Sequence, residues 1–148
     1  MNNTAIITFF ENELRQLIQE LELYKQEENI WKTQGNISNS AGNLTLHLIG
    51  NLHTFIGKEL GQTDYVRDRE LEFSDKNISR IDMIISINQT VDMIKTSLNL
   101  LSEDDLKKDY PLLKFSKVES TEYLLIHLLK HFSYHLGQIN YHRRLIDL

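Results

Sequence analysis

The feature that most constrains this chain is its shortage of helix breakers: 148 residues carry one proline and six glycines. Long stretches run without interruption and are rich in Leu, Ile, Glu, Gln and Lys, residues that favour helix. The predicted fold class is all-α. Ile6, Phe10, Leu14, Leu17, Leu21 and Tyr24 recur at three- and four-residue steps, so a first amphipathic helix is expected from about Thr4 to Glu28. Turn formers in 33–40 break that pattern. A second helix follows from near Ser40 to Leu60, burying Leu48, Leu52, Phe55 and Ile56. A polar connection from Gly61 to Asn77 leads to a third helix, capped near Ser79, with Ile81, Ile84, Ile85, Val91, Ile94, Leu98 and Leu101 as its apolar face. Pro111 lies in the next connection, and Ser120 is placed to cap a last helix reaching about Ile146. Helices of such similar length, each about 30 to 42 Å at 1.5 Å per residue, favour a four-helix bundle forming one domain over 1–148.

Charge and composition narrow the function. Sixteen basic against twenty-one acidic residues give a net charge of −5, and Arg143-Arg144 is the nearest approach to a basic stripe. Phosphate-backbone binding needs clustered cations, so nucleic acid is not an expected partner. No segment has the roughly 20 apolar residues of a membrane span, and Met1 to Ala5 do not begin a signal peptide. With no cysteine, disulfides, thiolate metal sites and cysteine nucleophiles are excluded. A cytoplasmic location is expected.

Four of the six histidines, His127, His131, His135 and His142, lie on the last helix. At about 100° per residue, His131, His135, Gln138 and His142 share an arc of roughly 60°, flanked by Phe132 and Ile139. Histidines therefore occupy a seam where a bundle helix buries leucines, and buried ring nitrogens need partners. An i, i+4 pair such as His131 and His135 projects two imidazoles from one face, able to converge on one cation. His127 and His142 read as hydrogen-bonding or wall residues. A third ligand must come from another helix, and on the second helix the wheel does not choose between His47 and His53.

The string His131-Phe-Ser-Tyr-His135-Leu-Gly-Gln138 resembles the H-x-x-x-H-x-G-Q signature of DinB-like metal-binding proteins. Asn39-Ser-Ala-Gly-Asn-Leu-Thr-Leu-His47-Leu-Ile-Gly-Asn51-Leu resembles that superfamily's second-helix motif, and Tyr65-Val-Arg-Asp-Arg-Glu-Leu-Glu-Phe73 a loop of one of its branches. The resemblance implies a bundle with crossed connectivity and a metal triad of His47, His131 and His135, leaving His53 outside. It further implies zinc or nickel as the ion, a homodimer, and transferase or isomerase chemistry on a low-molecular-weight thiol.

Three neutral imidazoles leave a divalent ion its full charge and an open position. Such an ion lowers the pKa of bound water to about 7 or deprotonates a bound thiol. A metal-dependent thiol transferase is therefore expected first, a metal-dependent hydrolase second, and a non-catalytic metal-binding stress-response protein third. Glu59, Glu70 and Glu72 are possible bases, although the wheel places none near the seam, and Gln138 and Tyr134 are candidates for orienting a ligand. Ile30, Trp31, Leu112, Leu113 and Phe115 fall outside the four stripes and also point to a homodimer.

Overall fold

The computed structural model describes residues 2–148. Four long helices form the bundle: α1 (Asn3–Leu23), α2 (Ala41–Leu52, prolonged by a π-helical His53–Lys58 and a last turn Glu59–Gly61), α4 (Arg80–Asn99) and α6 (Thr121–Ile146). Two short helices, α3 (Arg69–Ser74) and α5 (Glu103–Lys107), sit in the connections. Among the described residues the only bridge of β type is the isolated pair Asp109 and Ser120, which closes the loop around Pro111. No described helix is long and apolar enough to cross a membrane.

Helix α1 packs on α4 and α6, and α2 packs on the same two. The first and second long helices therefore occupy opposite corners, as do the third and fourth. The chain crosses the bundle diagonally twice, through 24–40 and 100–120, the crossed arrangement expected. Ile6, Phe10, Leu14, Leu17 and Leu21 from α1 meet Leu48, Leu52 and Ile56 from α2 in one core, with Ile87, Ile94 and Leu98 from α4 and Leu128, Phe132 and Ile139 from α6.

Several boundaries and faces differ from expectation. The first helix ends at Leu23 instead of running to Glu28. The Asp147 carboxylate accepts from the backbone N–H groups of Lys25 and Gln26 and from Asn29, which draws this backbone out of the helix. The polar connection 61–77 contains α3, capped by Asp68, whose side chain accepts from Leu71 N–H. On α4 the buried face is Met83, Ile87, Thr90, Val91, Ile94, Ser97 and Leu98, while Ile81 and Ile85 are exposed. At about 100° per residue, Ile81 and Ile85 lie about 120–160° from the Ile87–Leu98 line. The caps at Ser79 and Ser120 are formed as expected, by side-chain acceptance from Asp82 N–H and Tyr123 N–H. Of the apolar residues assigned to a subunit interface, Ile30 is fully buried in this core, Trp31 packs over Gly42, and Leu112 and Leu113 are exposed.

The π-helical turn accommodates one extra residue per turn. The Phe55 carbonyl accepts from the Tyr110 hydroxyl, which ties the loop before α6 to this widened segment.

Candidate metal centre

Helices α2 and α6 are neighbours in the bundle, and the structure brings His47, His131 and His135 together at their contact. One donor nitrogen from each lies within 4.8 Å of the others, a group that can hold a metal ion. The Nε2 atoms of His47 and His131 are 3.3 Å apart. Two nitrogens each about 2.0–2.1 Å from one tetrahedral ion would stand about 3.3–3.4 Å apart, so this pair already has the spacing of shared coordination.

The opposite ring edges explain the orientation. His47 Nδ1 lies 3.1 Å from Glu72 Oε1, both side chains being buried. His135 Nδ1 lies 2.7 Å from Gln138 Oε1. A carboxylate or amide oxygen accepts, and the Glu72 contact is shorter than that of Arg67 Nη2 with the same His47 Nδ1 (3.4 Å), so this assigns the proton to each Nδ1 and the lone pair to each Nε2. His131 Nδ1 is buried with no hydrogen-bond partner, unlike a core histidine held by its neighbours. This donor set fits a divalent ion of borderline softness.

Burial pushes the His47 imidazole below its ordinary value, against the upward pull of Glu72. His131 is pushed down to about 4, first by burial and then by the charges of His135, His47, His127 and Lys114. Both are neutral at pH 7, the form that metal ligation needs.

Glu72 is the residue that sequence reasoning missed as a partner of the histidines. It receives a two-pronged contact from Arg67, with Nε to Oε2 at 2.8 Å and a terminal nitrogen to Oε1 at 2.9 Å. Asn43, one turn before His47, donates to the carbonyls of Glu72 and Asp75 and fastens the end of α3 onto α2. Phe73 adds a ring contact to His47, with centroids 5.0 Å apart. Gly50 makes the approach possible, because a Cβ there would overlap the Glu72 carboxylate. A glycine inside a helix, one turn past a histidine, was the available signal.

The remaining histidines go elsewhere. His53 Nε2 bonds to the Thr90 hydroxyl on α4 at 3.1 Å. His142 is held between the Tyr24 hydroxyl at 2.6 Å and the Lys32 carbonyl at 2.7 Å. His127 stacks edge-on against Phe115. The histidine seam is also displaced from where its spacing put it. Leu128, Phe132 and Ile139 form the centre of the α6 core face, while His131 and His135 are half-buried at its rim.

A family described as "Protein of unknown function (DUF1572)" matches residues 4–147, nearly the whole chain. The chain belongs to that family. No curated protein matches it. The DUF1572 description names no activity, so the functional reading rests on the site.

Proposed function

We propose that this DUF1572 protein is a DinB-like divalent-metal protein in which His47, His131 and His135 ligate zinc or nickel. We further propose that it acts as a metal-dependent transferase on a low-molecular-weight thiol. The observation that carries the reading is the convergence of three imidazoles, two of them with Nδ1 tied to an outward acceptor. Closed structural sites use four protein ligands. Among the described residues three gather here, which leaves a position for an exogenous ligand. An ion bound there supplies Lewis acidity, enough to make a thiol or a water nucleophilic near pH 7.

The chain's own residues supply orientation and access. Glu72 and Gln138 fix two rings, and the α2–α6 contact excludes solvent from one side. On the other side a cavity of about 450 Å³ reaches His135 past Tyr134, Tyr141 and Leu145. That is within the roughly 300–1,000 Å³ typical of small-molecule sites.

The test is protein loaded with zinc or nickel, assayed with a panel of thiols and an electrophilic dye beside ester and amide substrates. Saturable, thiol-dependent turnover that a chelator removes is expected. Hydrolysis that needs no thiol would replace the transferase reading with a hydrolase, and stoichiometric metal without turnover would leave metal binding alone.

A homodimer belongs to the same proposal. The support is a stripe on α6, Tyr134, Gly137, Tyr141 and Leu145, exposed along the helix; three of these also line the cavity at His135, so a second copy seated here would form part of its wall.

A further inference from the structure

The metal reading leaves a group of cations unexplained. Beside the histidines is a separate, smaller cavity of about 160 Å³. Arg67, Arg69 and Lys114 line it together with His47, His127 and His131. None of the residues lining it is acidic.

The three cations are not equivalent. Arg67 has its guanidinium committed to Glu72. Arg69 and Lys114 have no carboxylate partner among the described residues. The charges that act on Lys114 are the like charges of Arg67 and Arg69, and its ammonium lies 4.0 Å over the Phe55 ring. Like charges gathered around one cleft raise its potential and draw in anions. Asn51, which is buried, also lines the cavity and places an amide beside these cations.

Arg69 and Lys114 are exposed, and it is their convergence from separate loops that sets them apart from scattered surface charges. Arg67 and Arg69 enter on the segment that also delivers Glu72 to His47, so one loop builds both the support for the histidines and the basic wall. Lys114 arrives from the opposite connection, the one tied to α2 through Tyr110. Two crossing loops thus bring cations to the same spot next to His131.

We propose that this cavity binds an oxyanion, a carboxylate or phosphate group, of the small molecule acted on at the metal centre, with Arg69 and Lys114 as its pairing residues. The volume is below the roughly 300 Å³ of a drug-sized site, so it takes one anionic group and leaves the remainder of the molecule to the larger opening. Arginine and lysine both bind such groups through charge-assisted hydrogen bonds. Held there, the anion fixes the ligand beside His131 and orients it for reaction. That this molecule also reaches the ion rests on the metal reading above; the anion site itself does not.

The experiment follows side-chain and backbone nuclear magnetic resonance signals of the metal-free, full-length protein during titration with inorganic phosphate, and separately with acetate. Saturable shifts at Arg69, Lys114 and Asn51 are expected, weakening as sodium chloride is raised. The Arg69→Gln, Lys114→Gln double variant should bind the anion at least about 10-fold more weakly, while Lys114→Arg retains binding. Both should still load one zinc. The preferred anion identifies the group. Absence of saturable shifts with either anion, or a double variant that binds like the parent, overturns the proposal. Zinc loading is read on the same samples, so loss of the metal reading and loss of the anion site register separately.

Discussion

His47 and His131 point their Nε2 atoms at each other across 3.3 Å, from helices at adjacent corners of the bundle. The Nδ1 of His47 is engaged by Glu72, so its Nε2 is a lone pair facing another imidazole nitrogen. A proton shared between the rings or a cation between them is needed to make that contact favourable. His135 brings a third nitrogen to the same point, and a hydrogen bond between two rings gives that nitrogen no role.

The first prediction follows from this geometry. His47→Ala, His131→Ala and His135→Ala should each lose stoichiometric zinc or nickel, measured by elemental analysis of folded protein. His53→Ala should keep it, because His53 is bonded to Thr90 on the far side of α2. Loss of metal in His53→Ala with retention in His47→Ala would overturn the ligand assignment.

The second concerns Glu72. Partners that hold a ligating histidine are worth about 10- to 100-fold in metal affinity, so Glu72→Ala should weaken zinc binding by that factor. Gly50→Ala should do nearly the same from another residue, since its Cβ would take the place of the Glu72 carboxylate. Alanine is better in a helix interior than glycine by about 1 kcal/mol, so this variant should stay folded. Competition with a calibrated chelator measures both, and parent-like affinity in either would show that Glu72 does not support the site.

These two predictions mark how far the sequence carries. The four long helices, the stripe of α1 and the caps at Ser79 and Ser120 are local properties, set by periodicity and by side chains reaching their own backbone, and all were legible, whereas the short α3 and α5 were not. The pairing of His131 with His135 is likewise local, being one turn apart. The choice of His47 over His53 depends on which face of α2 meets α6 and which meets α4, and the periodicity of a single helix does not contain that diagonal topology. Glu72 was illegible for a related reason. Its contact with His47 is made by a connection that folds back as α3, and Asn43 and Arg67, not the helix wheel, bring it in. The misassigned Ile81 and Ile85 show the limit of counting apolar residues when two registers compete at the start of a helix.

The third prediction tests the dimer. Gly137 sits mid-helix between exposed Tyr134 and Tyr141, and nothing lies within 4 Å of where its Cβ would be. A glycine there costs α6 about 1 kcal/mol relative to alanine without an internal packing reason, whereas close approach of a second helix would supply one. Sedimentation should give twice the 17.4 kDa chain mass at micromolar concentration. Gly137→Leu or Tyr134→Glu should return the protein to monomer with its helix content intact. A monomeric parent would exclude this face as an interface.

The last prediction is a pH dependence whose sign follows from burial. In the metal-free protein His131 has its pKa lowered to about 4, while in the unfolded chain it returns to about 6.5. Between those values the unfolded state binds the proton and the folded state does not, so acid favours unfolding. The contribution is fully present above the unfolded value and is lost progressively as pH falls from about 6.5 through about 4. Buried His47 and His142 and half-buried His53 are shifted in the same direction and add to it. Thermal unfolding without metal should therefore show a falling Tm across this window, and His131→Gln, which removes one titrating group, should make the fall shallower. With zinc present the dependence should steepen, because protons compete directly for the ligand nitrogens. A Tm that is flat from pH 7 to 4 in the metal-free parent would mean that these imidazoles are not held neutral by burial.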